Sequence, residues 1–167
     1  MKIRLGFVSN SSSSSFIVAF PSTPKNVEEV RQTLFGDLNS VSYEYDDSIT
    51  FSTLEMAQAV YNDLKNQISH TPEEIAEEIT YGTCYEDGSP DYDDFRDNNK
   101  SGWNIDWEAY EKAKEKFAKK VSDKFILDNI DKPVYIFEYS DNDGKFSTQM
   151  EHGDIFSALP NIRISKH

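Results

Sequence analysis

Glu151, His152, Asp154, Arg163 and His167 bring an acid, a base and a cation together within one short stretch near the end of the chain. A carboxylate beside an imidazole can perform general acid–base work, and a guanidinium can hold an anionic group with paired hydrogen bonds. Glu151, His152 and Arg163 are therefore the candidate catalytic set. Glu151 and His152 are neighbours, so on an extended chain they point to opposite faces. They converge only if the chain turns, which Gly153 permits. The competing reading of the same residues is a polar turn followed by an edge strand.

A second candidate lies near the start, in the run Ser9-Asn10-Ser11-Ser12-Ser13-Ser14-Ser15. Consecutive hydroxyls and backbone amides in a tight connection can cradle an anion such as phosphate, which makes Ser9, Asn10, Ser11 and Ser12 candidate anion-binding residues. A Walker loop is excluded, because Gly6 stands alone and no lysine follows the serines. A Gly-x-Ser-x-Gly nucleophile elbow is absent too. A polar linker or hairpin turn is the alternative.

Metal and cofactor signatures fail on spacing. Asp141-Asn142-Asp143-Gly144 looks like half of a calcium loop. Aligning its glycine, however, puts Tyr139 at the first ligand position and Met150 at the twelfth, where a carboxylate is needed. The acidic stretch Glu86, Asp87, Asp91, Asp93, Asp94, Asp97 holds oxygen ligands but misses the same pattern, and Cys84 is a lone thiol. No metal site and no cofactor is expected. His70 is expected at the surface beside a helix start.

The elements that must position these groups follow from periodicity. Phe16–Phe20 is β-branched and aromatic enough for a buried strand. Asn26 caps a helix carrying Val27, Val30, Leu34 and Phe35, with Gly36 as its stop. Val41–Tyr45 and Ile49–Phe51 read as a hairpin. A second helix carries Ala57, Val60, Tyr61, Leu64 and Ile68 on one face. Thr71-Pro72-Glu73-Glu74 is a capping box opening a short helix that stops at Gly82. A long acidic loop spans about 82–104. Asp106 caps the longest helix, with Tyr110, Ala113, Phe117, Val121 and Phe125 on one face, and Trp103 and Trp107 are expected to pack in the core. Val134–Tyr139, the turn 141–144 and Lys145–Met150 read as a further hairpin, and Ile162–Ile164 alternates as a final strand. Hairpins and helices in runs predict an α+β fold, with an antiparallel or mixed sheet and helices packed mainly on one face.

The 167 residues suit one domain over 1–167. Thirty acids against seventeen bases, a net charge of -13, oppose direct nucleic-acid or anionic-membrane binding and favour a basic protein partner. No segment is apolar for long enough to be a signal peptide or a membrane span. With a single cysteine, the expectation is a cytoplasmic protein.

The opening Gly6-Phe7-Val8-Ser9-Asn10-Ser11-Ser12-Ser13-Ser14-Ser15-Phe16 resembles the start of uncharacterised proteins of bacteria and their tailed phages. The closing Glu151-His152-Gly153 through Leu159-Pro160 to Arg163-Ile164-Ser165-Lys166-His167 is similar to their ends, where histidine often stands at the places of Asn161 and Lys166. The resemblance implies a bacterial or infected-cell setting and importance for the two termini, and it carries no activity that transfers to this chain. Two functions follow as expectations. One is an acidic accessory protein binding a basic partner, with mimicry of nucleic-acid charge as one route. The other is an enzyme or small-anion-binding protein whose site joins the serine segment to Glu151, His152 and Arg163. Because no spacing enforces that convergence, the interaction reading stands first.

Overall fold

A strand that is apolar on both faces needs cover above and below. The computed structural model, which describes residues 13–43, 46–84, 86–96, 104–140, 146–152 and 154–166, shows that cover around β1 (Ser13–Ala19). This strand is one of the two inner members of a four-stranded sheet with β4 (Thr83–Cys84), β5 (Val134–Ser140) and β6 (Asn161–Ser165), in the order β4-β6-β1-β5. Every pairing is antiparallel, with Phe16 opposite Phe137 on one side and Arg163 on the other. Phe16, Val18 and Phe20 point into one apolar layer and Ile17 and Ala19 into a second.

The first layer is closed by α1 (Val27–Phe35), α2 (Thr53–Leu64) and the short α5 (Ser147–His152), through Val30, Leu34, Met56, Val60, Leu64 and Met150. A separate two-stranded sheet, β2 (Ser40–Tyr43) with β3 (Asp46–Ser52), flanks it with Val41 and Phe51. The second layer is closed by α3 (Pro72–Tyr81) and α4 (Trp107–Asp128), through Ile75, Ile79, Phe117 and Phe125.

The helix boundaries follow their capping chemistry. Asn26 accepts from Glu29 N, Gly36 sits at φ 57°, and Asp106 accepts from Ala109 N. At α3 the capping box is reciprocal: Thr71 N donates to Glu74 Oε2 at 2.8 Å and Glu74 N to Thr71 Oγ1 at 3.3 Å. These bonds hold the Glu74 carboxyl below its ordinary pKa.

The fold is α+β with an antiparallel sheet, as the sequence predicts. Several local expectations change. Helices cover both faces of the sheet rather than mainly one, because β1 alternates two apolar sets instead of one apolar and one polar set. The segment expected to return as a strand after β5 contains α5. Phe146 and Met150 fit a four-residue repeat as well as a two-residue one, and Met150 N donates to Phe146 O at 2.8 Å. The acidic stretch holds β4 and a 3₁₀ turn at Tyr92–Phe95 rather than loop alone. Ile68 lies beyond the end of α2 and is 79% exposed, and Trp107 is 57% exposed at the first turn of α4. Trp103 and the expected turn 141–144 lie outside the described residues. None of the described helices is long and apolar enough to cross a membrane.

Candidate functional site

Buried polar side chains separate the structural from the unexplained. Thr53, Ser122 and Asn129 are buried and bonded: to Leu38 O at 2.6 Å, Pro72 O at 2.6 Å and Phe125 O at 2.9 Å. The other buried polar residues described are Ser14, Ser15, Gln149, Glu151 and Ser165. All five belong to β1, β6 or α5, and the sheet register gathers the three serines at one end of the sheet. Ser15 Oγ, Ser165 Oγ and Gln149 Oε1 have no hydrogen-bond partner among the described residues.

Register explains the gathering. Ser165, Ser14 and Tyr139 are partners in a row across β6, β1 and β5, on the face that α5 covers. The next row inward is Arg163, Phe16 and Phe137. Arg163 donates from Nη2 to Ser14 Oγ at 3.3 Å and lies over the Phe16 ring, 5.7 Å from its centre. Burial and the neighbouring Asp63 carboxylate push the Tyr139 phenol well above its ordinary pKa. Glu151, on α5, is fully buried.

The opposite face of the same end carries Ser15 beside Glu138. There Lys166 Nζ sits 2.8 Å from Glu78 Oε1 and 3.0 Å from Glu138 Oε2, tying β6 to α3 and β5. Burial works against this ammonium, but the two carboxylates outweigh it and its pKa is raised.

Tertiary structure thus brings Arg163 to the end of the serine run at Ser14. It places Glu151 in the helix over the same sheet. Ser9, Asn10, Ser11 and Ser12 lie outside the described residues, as does the side chain of His152, so the full proposed set is not assembled here. Ser14 is fully buried, which suits a positioning role better than nucleophilic attack. The strand carrying Arg163 is internal, flanked by β4 and β1, and is not the edge strand of the competing reading. Lys166, Glu78 and Glu138 escape a reading by motif because their elements are distant in sequence. The one sequence signal is Lys166, a polar residue that continues the strand alternation of Ile162 and Ile164.

A second locus forms where the 3₁₀ turn meets the start of α4. Arg96 and Ile105 form a β-bridge, and Asp106 N donates to Phe95 O at 3.0 Å. These contacts hold the Tyr110 ring edge-on to Phe95 at 5.6 Å and to Trp107 at 5.9 Å. Trp107 and Tyr92 remain exposed, on segments that also carry Asp91, Asp93, Asp94, Asp106, Glu108 and Glu111. The local cations are engaged: Arg96 with Asp93 at 2.9 Å, Lys112 with Glu108 at 2.6 Å and Lys114 with Glu111 at 4.0 Å. Asp91, Asp94 and Asp106 are left without an ion pair among the described residues. Burial, then the Glu111 and Asp91 charges, raise the Tyr110 pKa.

Among the described residues no group of three or more His, Cys, Asp or Glu side chains is arranged to hold a metal ion. Cys84 is buried, and burial raises its thiol pKa, so it is a poor nucleophile. No family model, no curated protein and no solved structure matches this chain.

Proposed function

We propose that this protein is an acidic accessory protein that binds a basic protein partner through the aromatic and carboxylate corner at the start of α4. The observation that supports this reading most is Trp107, 57% exposed in the first turn of α4, on a stretch of chain where carboxylates outnumber cations. Exposed aromatics anchor interfaces, and a ring beside carboxylates suits a lysine or arginine side chain, which gains ion pairing and cation–π contact together. The net charge of -13 adds long-range attraction for such a partner. The resemblance of the two termini to proteins of bacteria and tailed phages supports a bacterial or infected-cell cytoplasm as the setting of this interaction.

Affinity capture from bacterial lysate with the wild-type chain and with Trp107→Ala tests the reading. A basic protein retained at low salt by the wild type, released by salt and not retained by the variant is the expected result. Equal retention by both, or none by either, would overturn it.

A second reading is favoured by the buried Ser165 hydroxyl, which has no hydrogen-bond partner among the described residues and shares a sheet face with the Arg163–Ser14 pair: a small polar ligand or anion held near Ser14, Ser165 and Arg163. Phosphate and small carboxylates should raise the Tm of the wild type but not of Arg163→Gln. Shifts that are absent, or equal in both proteins, would exclude this site.

A further inference from the structure

The outer faces of α3 and α4 leave a groove of about 430 Å³ between them. Ser122 Oγ donates to Pro72 O at 2.6 Å, while Tyr81 lies near the Tyr110 end of α4 around a neighbouring cleft, so the two helices run antiparallel. One rim carries Glu73, Glu77 and Tyr81, each one helical turn from the next; the other carries Glu115, Lys119 and Asp123 at the same interval. Both rims run for about 12 Å, two turns of helix. The floor between them includes Ala76 and Ser122, whose small side chains let a guest approach closely.

Charge decides what fits. Of the four carboxylates, Asp123 alone has an ion pair among the described residues, with Lys119 at 3.3 Å. Glu73 and Glu77 are like charges at i, i+4, an arrangement that costs helix stability until a cation lies between them. Tyr81, 80% exposed at the end of the groove, adds an aromatic ring that suits the same kind of group.

We infer that the α3–α4 groove seats a helical segment of a partner protein bearing lysine or arginine at one-turn spacing. Such a segment lies as a third helix along the pair, its small or apolar stripe on the floor and its cations against Glu73, Glu77 and Glu115. This inference rests on the reading of the chain as a partner for basic proteins and adds a second surface to it.

The test uses the full chain and a fluorescein-labelled amphipathic peptide with lysine at every fourth position, followed by anisotropy at low salt. Glu77→Gln with Glu115→Gln should weaken binding about tenfold. Glu28→Gln with Glu55→Gln, on the opposite side of the sheet, removes the same charge and should change it less than about twofold. If the groove pair shifts the Tm, Tyr81→Ala supplies the same readout, since its exposed ring supports no core packing. Equal loss from both charge pairs, or full binding by the groove variants, overturns the groove and leaves the docking corner standing. Failure of the wild-type chain to bind the peptide overturns the groove, and lysate capture then decides the corner separately.

Discussion

The side-chain amide of Gln67 bonds Ile136 twice: Nε2 donates to Ile136 O at 2.9 Å, and Oε1 accepts from Ile136 N at 3.3 Å. β5 is the outer strand of the main sheet, and Gln67 occupies the place of the next strand's peptide group. Ser69 Oγ accepts from Val134 N at 3.0 Å, and His70 N donates to Val134 O at 2.8 Å. The segment after α2 thereby covers an edge that would otherwise template pairing with another chain.

Gln67→Ala should cost about 1–2 kcal/mol, the value of two backbone groups left without a protein partner. Urea unfolding measures the loss. The same variant should also associate with rising concentration, read by light scattering. A monomeric variant of wild-type stability would show that the edge needs no cover.

Gly82 is held by its neighbours, not by its own torsions. A Cβ there would collide with Ile164 Cγ2 and lie 2.7 Å from Ser165 O. Gly82→Ala should therefore destabilise by about 1–3 kcal/mol as β4 is pushed off β6. Amide exchange at Thr83 and Cys84 should accelerate with it.

Ser15 and Ser122 are both fully buried, yet their hydroxyls differ, one without a partner among the described residues and one bonded to Pro72 O. Ser122→Ala should cost about 1 kcal/mol, whereas Ser15→Ala should be neutral or stabilising by up to about 1 kcal/mol. Parallel denaturant melts compare them. A large loss for Ser15→Ala would mean that its hydroxyl has a partner beyond the described residues.

The capping box of α3 carries a signed pH dependence. The Glu74 carboxyl has its pKa lowered by the Thr71 amide, so its contribution is present above the unfolded value, near 4.5, and is lost as pH falls through the folded one. Glu74→Gln keeps an acceptor for Thr71 N without the charge. The difference in stability between the two proteins should shrink below that range, as followed by circular dichroism melts at stepped pH.

Trp107 is predicted to contribute to binding and little to folding. Trp107→Ala should change stability by less than about 0.5 kcal/mol, as exposed substitutions do, while abolishing capture of the basic partner. A melt and a pull-down on the same preparation separate the two effects.

Helix starts were legible because their chemistry is local. Asn26, Thr71 and Asp106 each bond an amide three residues ahead, so a window of a few residues contains both partners. Met150 shows where local reading stops. Phe146 and Met150 suit a strand or a helix, and the choice fell to their surroundings, since β5 already pairs with β1 on one side and meets Gln67 on the other. The site followed the same rule. Arg163 and Glu151 could be nominated by type, but Lys166 with Glu78 and Glu138 could not, because no motif spans those distances.

Composition and periodicity were enough for an acidic α+β chain with its capped helices and its buried first strand, because burial pattern and capping act over a few residues. The strand order β4-β6-β1-β5, the pairing of Ser14 with both Ser165 and Tyr139, and the burial there of a Ser165 hydroxyl with no partner among the described residues were decided by tertiary structure alone. Each depends on long-range strand register, and in that register a shift of one residue would turn every one of these side chains to the other face.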